Sequence, residues 1–145
     1  IIKTPLLVNA GITFFIFVST LARADVMVTE ARVREAPPGV TTTAAYMTLI
    51  NGGPLARELV SITAEFAAKI EVHEHLDNDG MMQMRKVEPF VVPSEQTIEF
   101  KPGGYHLMIF GIKKMPKASE SVDITLAFKN GEYVTQAFSV YSHHQ

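Results

Sequence analysis

The stretch that decides the fold is VDITLAFKNGEYVTQAFSV, residues 122–140. Two runs rich in β-branched and aromatic residues, 122–128 and 133–140, flank Lys129-Asn130-Gly131-Glu132. Such runs favour strands, and an Asn-Gly pair between two of them is a strong signal of a tight β-hairpin. The segment therefore predicts two antiparallel strands joined by a short turn.

The chain from residue 25 onward repeats this pattern, because short alternating runs end at turn residues. These runs are 26–34, 44–50, 59–62, 69–76, 81–87, 97–100 and 105–112. With the hairpin they predict an all-β domain of about eight or nine strands, an antiparallel Greek-key β-sandwich or barrel. The imperfect alternation of the first run indicates a bulge, and residues 64–69 have room for one helical turn.

The first 24 residues differ from the rest and predict a signal peptide. Lys3 precedes an apolar run that is densest at 12–21, and the small-x-small tripeptide Ala22-Arg23-Ala24 follows. This order is typical of a secretory signal peptide cut after Ala24. A membrane anchor that is never cut is the alternative. We expect a signal peptide at 1–24, a β-sandwich domain at 25–145 with a short flexible tail, and no stable membrane insertion after cleavage.

Composition excludes several classes of function. The formal net charge is −2, with 13 basic and 15 acidic residues, so no basic surface for nucleic acid is expected. The chain has no cysteine, which excludes disulfides and thiolate metal sites. The sequence shows no nucleophile with an adjacent base and an orienting third group. We therefore predict a binding protein and not an enzyme.

The histidines point to a metal site. Side chains alternate along a strand, so His73 and His75 share the face opposite Ile70 and Val72. By the same rule His106 and Met108 share the face opposite Leu107 and Ile109. Two such side chains lie about 7 Å apart along the strand, a spacing that suits two ligands of one ion.

The methionines suggest which metal such a site would select. Met82 and Met84 lie on one face with Lys86, which packing alone does not readily explain. Thioethers are soft and select Cu(I), whereas a blue-copper site needs a cysteine that this chain lacks. The pattern favours carrying copper over transferring electrons. The alternative for Met84 and Met108 is that they only fill the core.

The spacing of these residues resembles a known motif. Ten residues separate His73 from Met84, twenty-one separate Met84 from His106, and one separates His106 from Met108. This is similar to the H-x10-M-x21-H-x-M motif of the periplasmic CuA-site copper chaperone family, the PCuAC type. Four flanking segments also resemble that family: AAYMTLIN at 44–51, VHE at 72–74, GMMQMR at 80–85 and KPGGYHLM at 101–108.

The resemblance implies a cupredoxin-like sandwich with an exposed Cu(I) site near one end, liganded by His73, Met84, His106 and Met108. It implies a periplasmic monomer that delivers copper towards the CuA centre of cytochrome c oxidase. The implied partner is a copper-accepting oxidase subunit or a Sco-type thioredoxin-like metallochaperone. Some members carry a His- and Met-rich extension that is proposed to hold Cu(II), for which this tail offers only His143 and His144.

Other interpretations stay open at the level of sequence. One is copper storage, and another is a zinc site made of His73, His75 and His106. A third is a metal-independent β-sandwich that serves as an interaction domain. His75 departs from the family pattern, and it is a spare ligand, a supporting partner of a ligand or a rim residue.

Overall fold

The computed structural model describes residues 2–18 and 25–142, and this part of the chain is all-β, as predicted. The ten strands are β1 Val26–Arg34, β2 Thr43–Asn51, β3 Arg57–Thr63, β4 Lys69–Asn78, β5 Met81–Lys86, β6 Phe90–Val92, β7 Thr97–Glu99, β8 Tyr105–Phe110, β9 Ser121–Phe128 and β10 Tyr133–Tyr141.

Residues 2–18 are exposed and have no regular secondary structure. In the described ranges no helix has the length and apolar character needed to cross a membrane. The predicted cleavage site at Ala22-Arg23-Ala24 and the tail histidines His143 and His144 lie outside the described residues.

The strands form one hydrogen-bonded path in the order β5-β4-β8-β2-β1-β10-β9-β3-β6, with β7 also paired to β2. Neighbours along the path are antiparallel except β1 and β10, which run parallel. The end strands β5 and β6 are not neighbours on this path, so the sheet stays open. The site described below lies at the β5-β4-β8 end.

The core joins both halves of the path, which folds the sheet onto itself as a sandwich. Met47 of β2 and Leu107 of β8 belong to the same buried cluster as Ile124 of β9 and Phe138 of β10. All four side chains are fully buried. Burying one such side chain stabilises the fold by about 1.5–3 kcal/mol, so this shared core holds the two layers together.

The structure refines three of the local predictions. The bulge in the first strand is confirmed, because the β1–β2 register shifts between Thr29 and Arg32, and Glu30 has a φ of 52°. Strand β6, Phe90–Val92, lies outside the runs that the sequence predicted as strands. Residues 64–67 form a single hydrogen-bonded turn and not a helix, with the Ala67 N–H 3.4 Å from the Ala64 carbonyl oxygen. The Ala68 N–H then bonds to carbonyl oxygens at the end of β8, which leads the chain into β4.

Two hairpins fix the strand pairs that matter most. The predicted Asn130-Gly131 turn joins β9 to β10, with Gly131 at a φ of 90°. Between β4 and β5, Asp79 and Gly80 have φ angles of 53° and 82°. Positive φ at both central residues defines a type I′ turn, whose twist suits a two-residue hairpin. This turn sets the register of β5 against β4.

Candidate metal centre

The register of strands β4, β5 and β8 places the four predicted ligands on one face of the sheet. His73 lies opposite His106, and Met108 follows two residues later on β8. Directly opposite residues of an antiparallel pair share a face. The other face of the same strands carries Val72 and Leu107, which are buried in the core. The alternation expected from the sequence is therefore confirmed.

Met84 joins this face from the edge strand β5, where it lies opposite His75 and not opposite His73. Strand β4 separates β5 from β8. Neighbouring strands are about 4.8 Å apart, so the backbone of Met84 is about 9.6 Å from that of β8. The structure thus brings His73, His106 and Met108 together, and it leaves Met84 at the outer edge with 54% of its surface exposed. Methionine is long and flexible enough to reach inward.

His106 is the most enclosed member of the cluster. Only 4% of its surface is exposed, whereas the sequence indicated a residue on a rim. Strand alternation gives the face of a residue, but it does not tell what covers that face. Burial lowers the pKa of His106, and the hydrogen bond to Gly104 opposes this only in part. His106 is therefore neutral near pH 7, the form in which an imidazole binds a metal.

Hydrogen bonds decide which imidazole nitrogen of each histidine carries a lone pair. Nδ1 of His106 lies 3.3 Å from the carbonyl oxygen of Gly104, which can only accept, so Nε2 is the nitrogen free for a metal. Nε2 of His73 donates to Oε2 of Glu71 at 2.9 Å, which leaves Nδ1 free. In metal-binding histidines, the ring nitrogen that does not bind the metal commonly donates a hydrogen bond of this kind.

Glu71 is a residue whose role the sequence reasoning missed. Its carboxylate accepts from His73 and lies 3.5 Å from the Nζ atoms of both Lys69 and Lys86. The hydrogen bond from His73, followed by the two lysine charges, lowers the pKa of Glu71 despite partial burial. Glu71 is thus an anionic support for the His73 ring. Its shared face with His73 was the signal available in the sequence.

Gly104 is the second residue whose role the sequence reasoning missed, and the turn at Lys101–Gly104 positions it. The Gly104 N–H bonds to the Lys101 carbonyl at 3.0 Å, and Gly103 has a φ of 83° that favours glycine. This turn directs the Gly104 carbonyl to two groups, the ring of His106 and the backbone N–H of His75 at 3.4 Å. The loop before β8 therefore positions the histidine cluster.

Two further observations concern a site made only of nitrogen and oxygen ligands. The ring centroids of His73 and His106 lie 5.9 Å apart, and those of His75 and His106 lie 5.0 Å apart. Across residues 2–18 and 25–142, no three His, Asp or Glu side chains are arranged to hold a metal ion. The zinc interpretation therefore has no preformed site, and a site around His106 needs thioethers or a movement of the rings.

The fold is that of a known class, the PCuAC-type all-β domain. The copper-bound PCuAC domain from PmoF2 superposes with a TM-score of 0.70 at 19% identity, over 81% of this chain and 93% of that one. At that identity the likeness shows the fold alone. The Cu(I) form of DR1885 from Deinococcus radiodurans gives a TM-score of 0.66 at 28% identity, over 87% of this chain and 84% of that one.

The family follows from the sequence comparison. The family model described as "Putative lipoprotein LpqE-like" matches residues 26–140, and the chain belongs to this LpqE-like family. Protein RP573 of Rickettsia prowazekii (strain Madrid E) is 33% identical over 90 residues, which are 61% of this chain and 50% of RP573. The match thus spans half of that relative. The resemblance to the PCuAC type is confirmed.

Proposed function

We propose that the protein is a Cu(I)-binding metallochaperone whose ligands are His73, Met84, His106 and Met108. The observation that carries this proposal is the pairing of His73 with His106 on one face of the sheet, with Met108 two residues further along β8. The similarity to DR1885, whose structure is described as the Cu(I) form, supports it.

The chemistry of the four donors suits Cu(I). Two imidazoles and two thioethers are all neutral, and a monovalent ion does not require anionic ligands to neutralise it. Thioether sulfur favours Cu(I) over zinc, calcium and magnesium. The carboxylate of Glu71 is bound to His73 and two lysines, so it supports a ligand without supplying one.

The gradient of burial suggests how copper would be handed over. Met84 is exposed at the edge of the sheet, whereas His106 is buried. An acceptor thiolate or imidazole would displace the thioether of Met84 first, while the less exposed ligands still hold the ion. His106 would release it last. No catalytic residue is needed, because the process is a stepwise exchange of ligands.

We further propose that the protein works in the periplasm and delivers copper towards the CuA centre of cytochrome c oxidase. The acceptor is an oxidase subunit or a Sco-type thioredoxin-like metallochaperone, and the protein acts as a monomer. The lipoprotein description of the family supports export. The resemblance of residues 44–108 to the copper chaperone family supports the acceptor.

A competition titration with a chromogenic Cu(I) chelator tests the site. Met84→Leu and Met108→Leu should each weaken Cu(I) binding about tenfold or more, because each removes one soft ligand. Met82→Leu is the matched control, since Met82 is on the same strand and face and is 65% exposed. Loss of affinity in the control equal to that of Met84→Leu, or no stoichiometric Cu(I), would refute the site.

Delivery needs a separate experiment. Cu(I)-loaded protein is mixed with a Sco-type protein or with a soluble CuA domain, and the two are separated and assayed for copper. Transfer faster than that from a free chelator of equal affinity is expected for a chaperone. Copper that stays with this protein at equilibrium would favour storage.

A further inference from the structure

His75 lies between the two parts of the proposed site. It shares the face of the predicted ligands, stands directly opposite Met84 on β5, and places its ring centroid 5.0 Å from that of His106 on β8. The motif that predicted the other ligands does not include this position. In the strand register, however, His75 lies between buried His106 and exposed Met84.

The ring of His75 also has a free buried nitrogen. His73 and His106 each use one nitrogen in a hydrogen bond. Nδ1 of His75 is buried and has no hydrogen-bond partner. Buried polar atoms are nearly always paired, so an unpaired one inside a group of imidazoles calls for an explanation. A ligand nitrogen awaiting its ion provides one.

The separation of the rings fits two ligands of one ion. With a metal–nitrogen bond of about 2.0 Å, two ring centroids are about 4.5 Å apart at a right angle and about 5.1 Å apart at the tetrahedral angle. The 5.0 Å between His75 and His106 lies in this range, whereas the 5.9 Å between His73 and His106 exceeds it. To bind one ion, the rings of His75 and His106 would therefore have to move less than those of His73 and His106.

We propose that His75 is a copper ligand and that it enables the site to hold Cu(II) as well as Cu(I). This inference rests on the proposed copper function. Thioethers select Cu(I), whereas imidazole also suits Cu(II), which prefers nitrogen and oxygen ligands in a tetragonal arrangement. His75 and His106 would hold the divalent ion first, and His73 would join as a third imidazole once its ring, 5.9 Å from that of His106, moves closer. The two methionines complete the shell only for Cu(I).

The test compares His75→Met with its parent for both oxidation states. The parent is the full chain carrying His143→Ala and His144→Ala, so that the tail cannot contribute nitrogen ligands. Cu(I) affinity comes from chelator competition under reductant. Cu(II) affinity comes from competition with glycine, and electron paramagnetic resonance reports the number of bound nitrogens. His75→Gln repeats the test with a polar side chain, and thermal melting of the metal-free proteins checks folding.

We expect His75→Met to lose about tenfold or more in Cu(II) affinity and one bound nitrogen. Its Cu(I) affinity should stay within about threefold of the parent, because the new thioether replaces the imidazole as a soft ligand. Unchanged Cu(II) binding in both variants would overturn the inference. An equal loss for both ions would overturn the claim that His75 serves Cu(II) in particular. Failure of the parent to bind Cu(I) would instead refute the proposed function, whatever the Cu(II) result.

Discussion

Replacing Glu71 by glutamine isolates the part that its charge plays in the copper site. Glu71 accepts a hydrogen bond from Nε2 of His73 at 2.9 Å and orients the ring so that Nδ1 is free. Loss of such a supporting partner lowers metal affinity about 10–100-fold, which corresponds to about 1.4–2.7 kcal/mol of binding free energy. Glutamine keeps a neutral acceptor, so we expect the lower limit, about tenfold. Glu71→Leu removes the acceptor and should approach the upper limit.

The neighbouring Glu74 provides the control for this prediction. Its side chain is 17% exposed, compared with 16% for Glu71, and it pairs with Arg85 and not with a histidine. Cu(I) affinity is measured by chelator competition at pH 7.5 for Glu71→Gln, Glu71→Leu and Glu74→Gln. Glu74→Gln should stay within about twofold of the unmodified protein. The reasoning fails if Glu71→Leu also stays within twofold, or if Glu74→Gln loses as much as Glu71→Gln.

Three further predictions concern stability and pH. Met108→Ala should abolish tight Cu(I) binding, and because Met108 is only half-buried it should lower the melting temperature of the metal-free protein by only a few degrees. Met47→Ala in the core should instead lower the free energy of unfolding, measured in urea, by about 2–5 kcal/mol. Although burial raises the pKa of Glu132, the Val26 N–H and the Arg57 guanidinium lower it below its usual value of 4.5, so the ionised side chain stabilises the fold above pH 4.5 and this stability disappears as the pH falls through the lowered pKa. In Glu132→Gln, the free energy of unfolding measured in urea should therefore depend less on pH below 4.5. Cu(I) affinity should fall as the pH drops from 7.5 to 5, with the contribution of His106 lost only below its ordinary pKa of 6.5; a flat affinity profile would contradict histidine ligation.

Most of the fold could be predicted because its strands alternate clearly. The Asn130-Gly131 hairpin and the face shared by His106 and Met108 follow from local rules that the structure obeys. Strand β6, Phe90–Val92, was missed because its three residues are all apolar and lie between two prolines, so they show no alternation. The short turn at 64–67 does not extend into a helix because the Ala68 N–H bonds to carbonyl oxygens at the distant end of β8, and no local pattern contains such bonds.

The candidate site could be predicted as a set of residues but not as an arrangement. The motif spacing predicts His73 and Met84 as members, yet only the β4–β5 register shows that Met84 faces His75. Similarly, the bond from the His75 backbone N–H to the Gly104 carbonyl oxygen forms where the loop before β8 meets β4. The β4–β8 pairing, which sets His73 opposite His106, joins strands that are not consecutive in the sequence, so this contact appears only in the folded chain.

Copper K-edge X-ray absorption on the protein loaded with one equivalent of Cu(I) under reductant tests the central claim most directly. The account predicts a mixed shell of nitrogen and sulfur scatterers, with less sulfur in Met84→Leu and in Met108→Leu and an unchanged shell in Met82→Leu. A shell of nitrogen and oxygen alone, or sulfur scattering that survives the loss of both Met84 and Met108, would contradict it.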